Sequence, residues 1–201
     1  MNKQSIGVLI LVSLCIVATA SAEPVIDVGN HSFFPNMAGQ EIQIFVTGGT
    51  PVQGLNFYVQ VADGGPEAAA LGLTPPPGID GPAITGVDLL SGTIFEDNNT
   101  GQRSGPFLPQ FRDGLTSTLD GTVLASGLLA TVTFDTTGFS TVGQQWELRL
   151  TNVVEHVGTD FAGVRATIHN GDITIVPEPS SIVLLLIAAV GMLLARRLRR
   201  V

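Results

Sequence analysis

The chain has 201 residues, 24 of them glycine and 12 proline, and a formal net charge of −8. Its single cysteine, Cys15, falls in an N-terminal apolar segment, so the body that follows has no disulfides, thiol catalysis or cysteine metal sites. Residues 23–177 carry sixteen carboxylates against Arg103, Arg112, Arg149 and Arg165, a net charge of −12 with no lysine, which excludes lysine-based catalysis and any basic patch able to hold nucleic acid.

Residues 1–22 have the form of an export signal. Lys3 supplies the positive start, Ile6 to Ala18 the apolar stretch, and Ala20-Ser21-Ala22 the small-residue cleavage site, placing the mature start at Glu23. Cys15 follows Leu14 inside the apolar stretch, the wrong place for lipidation. Translocase and signal peptidase are therefore the first expected partners, and residues 23–176 are expected outside the cytoplasm.

About 155 residues remain for the body, enough for one domain with a real core. Period-2 alternation dominates it and helical periodicity is nearly absent. Ile42, Ile44 and Val46 share one face of a first strand. Leu55, Phe57, Val59 and Val61 share one face of a second, with Asn56, Tyr58 and Gln60 opposite. After a Gly- and Pro-rich connection at Asp63–Pro82 come shorter apolar runs near Ile84–Leu90 and Thr93–Phe95. A long polar loop is then expected over Glu96–Gly121. Leu128, Ala130, Val132 and Phe134 alternate with Leu129, Thr131, Thr133 and Asp135, and Trp146, Leu148 and Leu150 alternate with Glu147, Arg149 and Thr151. Asn170-Gly171 is a strong two-residue turn signal and predicts a hairpin pairing His169 with Asp172, Ile168 with Ile173 and Thr167 with Thr174. Many short strands with frequent turn residues indicate an all-β, antiparallel, jelly-roll-like sandwich.

Gly39 ahead of the opening strand, Gly54-Leu55-Asn56-Phe57, Leu129-Ala130-Thr131-Val132-Thr133-Phe134 and Asn170-Gly171-Asp172-Ile173-Thr174-Ile175 together resemble the cohesin domain. The resemblance implies a jelly-roll sandwich related to certain carbohydrate-binding modules, with a dockerin or a polysaccharide as partner.

Reaction-specific motifs are missing. His31, His156 and His169 have no zinc-ligand spacing, and neither a Gly-x-Ser-x-Gly elbow nor a phosphate-binding loop occurs. Glu96-Asp97-Asn98-Asn99-Thr100-Gly101 sets oxygen ligands at alternate positions, which makes Asp97 and Asn99 calcium candidates. No glutamate follows at the position that would complete such a loop, so a polar turn is expected. Trp146 belongs to an apolar face and is expected in the core, while Tyr58 points the other way. The expectation is a protein with no enzymatic activity, no cofactor and no resident metal.

The C-terminus has three parts in order: Pro177-Glu178-Pro179, an uncharged run over 180–195, and Arg196, Arg197, Arg199 and Arg200. Prolines 177 and 179 favour an extended approach and a helix start. Sixteen helical residues span roughly 24 Å against a hydrocarbon core of about 30 Å, a short transmembrane helix that snorkelling arginines extend. The arginines belong on the cytoplasmic side. Residues 177–201 thus resemble the PEP-CTERM sorting domain. The resemblance implies recognition by an exosortase, a membrane-embedded protease that cuts near Pro177-Glu178-Pro179, with the protein ending at the cell surface or in an extracellular matrix. The sequence therefore describes three units: a signal helix over 1–22, an extracytoplasmic sandwich over 23–176 and a sorting segment over 177–201.

Overall fold

The computed structural model describes residues 22–62, 81–104, 108–150 and 159–178, together with Ile187. Among them are twelve strands: β1 (Val25–Asp27), β2 (His31–Phe33), β3 (Ala38–Thr47), β4 (Pro51–Val52), β5 (Gly54–Val61), β6 (Ala83–Asp88), β7 (Phe111–Ser117), β8 (Val123–Leu124), β9 (Gly127–Asp135), β10 (Gln145–Arg149), β11 (Thr167–His169) and β12 (Gly171–Ile175). Two five-stranded sheets run in the orders β11-β1-β3-β9-β6 and β2-β12-β10-β5-β7, and β4 and β8 form a small ribbon beside them.

One-sided alternation makes these strands. Along β3, Ile42, Ile44 and Val46 turn inward between exposed Glu41, Gln43 and Phe45. Along β5, Leu55, Phe57, Val59 and Val61 are all fully buried. The two inner faces meet in one core, where Phe33 of one sheet packs on Phe134 of the other at 5.1 Å between ring centroids. Burying each such side chain contributes about 1.5–3 kcal/mol, and with no cysteine in the body this burial stands in place of covalent staples. Trp146 lies in the core as expected, in a T-shaped pair with Phe139 whose ring centroids are 5.1 Å apart.

Five expectations are corrected. The sandwich is not wholly antiparallel, because β1 pairs with β11, and β12 with β2, in parallel. The hairpin at Asn170-Gly171 does not form: β11 and β12 belong to different sheets, and the chain crosses between layers there. It does so alongside the β1–β2 crossing, with Val28 N donating to His169 O at 3.0 Å and Asp172 N to Asn30 Oδ1 at 3.1 Å. Gly171 is demanded by that second chain, since a Cβ on it would sit 1.7 Å from Gly29 O.

Thr93–Phe95 is no strand. It lies in consecutive turns closed by Thr93 N to Leu90 O and Glu96 N to Thr93 O. The Glu96–Gly121 stretch is not a plain loop, because β7 pairs with β5 along its whole length, from Gly54↔Ser117 to Gln60↔Phe111. In β9 the alternation also slips: Leu129 is buried and Leu128 only half so, at a register shift opposite Ile44 and Phe45. Residues 63–80 of the Asp63–Pro82 connection lie outside the described residues, and Gly81 and Pro82 are buried.

The strand directions define two poles. Phe33, Ala38, Asp135, Gln145 and Ile175 stand at one. Val25, Thr47, Gly54 and Ser117 stand at the other, where Thr50 Oγ1 donates to Ala22 O.

Candidate functional site

The outer face of the second sheet carries the candidate site. Alternation that buries Leu55 and Phe57 turns Asn56 and Tyr58 of β5 outward, and the register sets them opposite Leu115 and Asp113 of β7. In β7 the inward positions are Gly114 and Thr116. A Cβ on Gly114 would meet Leu89 Cδ1 at 2.9 Å, so glycine lets this strand lie close over the core. The segment 100–104 then docks on the outer edge of β7. Arg103 and Leu115 exchange both backbone hydrogen bonds, at 2.9 and 2.7 Å, and Thr100 N donates to Ser117 O at 2.9 Å.

The result is a shallow cleft of about 250 Å³ lined by Asn56, Tyr58, Arg103, Ser104, Asp113 and Leu115. A second hollow, lined by Thr100, Gly101, Thr116 and Ser117, shares Arg103 and Leu115 with it, so the two form one groove.

Each side chain in the groove is positioned differently. Tyr58 stacks on Phe111, with centroids 6.1 Å apart and planes 16° from parallel. Phe111 is itself buried yet lies outside the inter-sheet core, so it forms a floor beneath the phenol. Burial, and then the carboxylates of Asp113 and Asp160, push the Tyr58 hydroxyl above its ordinary pKa. Asp160 is fixed from two sides: Asn56 Nδ2 and Ala162 N both donate to its Oδ1 at 3.0 Å. Asn56 and Asp160 also exchange backbone bonds, and Thr159 Oγ1 accepts from Tyr58 N at 3.0 Å. The Arg103 guanidinium, by contrast, has no hydrogen-bonding or ionic partner among the described residues. Leu115 is 42% exposed beside it. A fixed ring, a fixed amide, an uncommitted cation and an exposed aliphatic side chain are the parts of a binding face.

The other candidates lie elsewhere. His31 Nε2 is 2.7 Å from Val28 O, His169 sits at the crossing, and His156 is outside the described residues. No group of three His, Cys, Asp or Glu able to hold a metal occurs among the described residues. The calcium candidates lie in a turn whose amides are committed to it. Asn99 Nδ2 donates to Phe95 O and Glu96 O while its Oδ1 accepts from Gly101 N, and Asn98 Oδ1 accepts from Leu119 N and Asp120 N. Asp97 beside them is exposed.

Of the processing residues, Ala22 is exposed, and Pro177 and Glu178, which follow β12 after Val176, are exposed too. Ala20, Pro179, the arginines 196, 197, 199 and 200, and the whole apolar run except Ile187 lie outside the described residues. Among the described residues no helix is long and apolar enough to cross a membrane.

Strand alternation in the sequence puts Asn56 and Tyr58 on the outward face, whereas Arg103, Asp113 and Leu115 fall in the stretch expected as a loop and Asp160 lies in no expected strand. The signal for β7 was Phe111 followed by alternation of small inward residues, too faint to separate from a loop.

Solved cohesin modules share this fold. The sixth cohesin of scaffoldin B from Acetivibrio cellulolyticus, in complex with a Cel5 dockerin mutant, has a TM-score of 0.51 at 13% identity, covering 76% of this chain and 99% of that one. A cohesin of Clostridium acetobutylicum, solved in solution, has a TM-score of 0.51 at 15% identity over 77% of this chain and 92% of that one. A type III cohesin from the cell-surface anchoring scaffoldin of Ruminococcus flavefaciens has a TM-score of 0.50 at 10% identity over 82% and 93%. No family model and no curated protein matches the chain. The chain is therefore an all-β sandwich of cohesin-like fold.

Proposed function

We propose that the chain is an exported, non-catalytic recognition module, held in the membrane by its C-terminal segment as a precursor, then delivered to the cell surface or matrix, and binding through the groove of its second sheet. The observation that carries this reading is the Arg103 guanidinium, uncommitted within an acidic protein and flanked by the Tyr58–Phe111 stack and exposed Leu115. Charged groups left unpaired on a preformed face fit recognition of a complementary partner. The dockerin complex of the Acetivibrio cellulolyticus cohesin supports a protein of that kind as partner. A polysaccharide is the alternative, disfavoured because Trp146 is in the core and Tyr58 already stacks on Phe111.

Delivery follows from the two ends. Residues 1–22 direct export, and signal peptidase cuts after Ala22. The run 180–195 holds the precursor in the bilayer with Arg196, Arg197, Arg199 and Arg200 on the cytoplasmic side. An exosortase acts near Pro177-Glu178-Pro179 and passes the domain to the surface or matrix. Exposure of Pro177 and Glu178 shortly after β12 supports protease access.

The binding reading is tested by pull-down with dockerin-bearing proteins of the same cell and by a glycan array, using exported wild-type protein and Arg103→Ala. Binding to one class, weakened about tenfold or more by Arg103→Ala, is the expected result. Silence in both assays, or binding indifferent to Arg103, would overturn it.

A further inference from the structure

Given the export signal proposed over 1–22, we infer that the fold shuts away the Ala22–Glu23 peptide bond. Signal removal then has to precede docking of β1, and a chain that folds first keeps its signal. Thr50 and Gly48 are the positioning residues that hold the bond.

Cutting there is a hydrolysis. Water adds its hydroxyl to the Ala22 carbonyl carbon and a proton to the Glu23 nitrogen, which leaves as an amine. In between, the Ala22 oxygen carries the developing negative charge, and a protease has to meet it with donors of its own. The protease also has to draw residues on both sides of the bond into its cleft, and a segment fixed in a sheet enters only after local opening.

The first requirement meets Thr50 and Gly48. Thr50 Oγ1 donates to Ala22 O, the oxygen that the protease's donors need. Thr50 is itself held in place: Ala125 N donates to Thr50 O at 2.9 Å, Gly49 N donates to Ala125 O at 3.0 Å, and Ala125 is fully buried. At Gly48, φ is +119°, and a Cβ would stand 2.6 Å from Glu23 O and 3.1 Å from Ala22 O. Glycine therefore lets backbone lie directly on backbone at the scissile bond. Ala22 and Glu23 are exposed residues, yet their carbonyl oxygens lie against the 48–50 loop.

The second requirement meets β1. Only Glu23 separates the bond from residues the fold has claimed. Pro24 is buried, and its carbonyl accepts from Thr167 N at 2.9 Å. Val25 is paired on both sides, with Thr47 and with Thr167. Ile26 and Val28 follow it into the core. Drawing Glu23 to Val25 into a cleft means lifting β1 from between β3 and β11. Folding and cutting thus compete for the same residues, and a chain that folds first stays held at both of its ends.

The test uses the full-length chain, purified uncut, and signal peptidase in detergent micelles, with cleavage at Ala22–Glu23 read by mass. Folded wild type is compared with Phe57→Asp, which puts a charge at a fully buried core position and keeps the chain unfolded. The folded chain should be cut at least about tenfold more slowly. Thr50→Val should speed cutting of the folded chain several-fold. Thr85→Val, which removes a hydroxyl donor from Thr133 O toward the other pole, should not. Equal rates for folded and unfolded chains, or a Thr50→Val chain cut no faster than Thr85→Val, would overturn the inference and leave the signal standing. Failure of the unfolded chain to be cut after Ala22 would overturn the signal and the inference together.

Discussion

Tyr58 is the chain's only tyrosine, so its titration can be followed directly by ultraviolet absorbance. Burial and the carboxylates of Asp113 and Asp160 all favour the neutral phenol. The folded protein should therefore titrate above the ordinary tyrosine value of about 10, and Asp113→Asn should bring the midpoint part of the way back, since burial is the larger cause. The stability consequence has a definite sign. Between the unfolded and the folded tyrosine values the unfolded chain holds fewer protons, so stability falls as pH rises through that window. Gly171 supplies a second prediction at this scale. A methyl group there meets the Gly29 carbonyl, so Gly171→Ala should cost about 3 kcal/mol or more in urea denaturation. Gly39→Ala, at φ +76° with nothing within 4 Å, should cost only about 1 kcal/mol.

At the scale of elements, β7 decides whether the groove exists. It brings Asp113 and Leu115 to Tyr58 and Asn56, and it receives Arg103 on its edge. Gly114→Val would drive side-chain atoms into Leu89, an overpacking that should cost about 1–3 kcal/mol and weaken partner binding by displacing Leu115. Denaturation and binding measured on the same variant check both parts. The strands legible in the sequence are those with large apolar residues on one face, such as Leu55, Phe57, Val59 and Val61. β7 was not legible because its inward positions are glycine and threonine, buried through tertiary closeness that no local pattern encodes. Asn170-Gly171 misled for a related reason. As a dipeptide it suits a tight turn, but the paired crossing with Gly29–Asn30 claims its backbone, and that neighbour is about 140 residues away in sequence. Half of the groove was therefore visible as outward positions on a recognisable strand, and the other half became visible only once that strand's partner was known.

At the scale of the molecule, two sheets close over an apolar core with no thiol in the body, and the two ends of the chain leave from opposite poles. Ala22 is tied to Thr50 at one pole, and Val176 to Phe33 at the other. That separation suits a precursor whose first apolar segment is cut away while its last still tethers it. The intact mass of the protein recovered from the cell surface or the surrounding matrix tests this most directly. The account predicts a species beginning at Glu23 and ending within 177–179, with any attached group adding to that mass. A full-length 201-residue species confined to the cytosol, with both apolar ends retained, would contradict it.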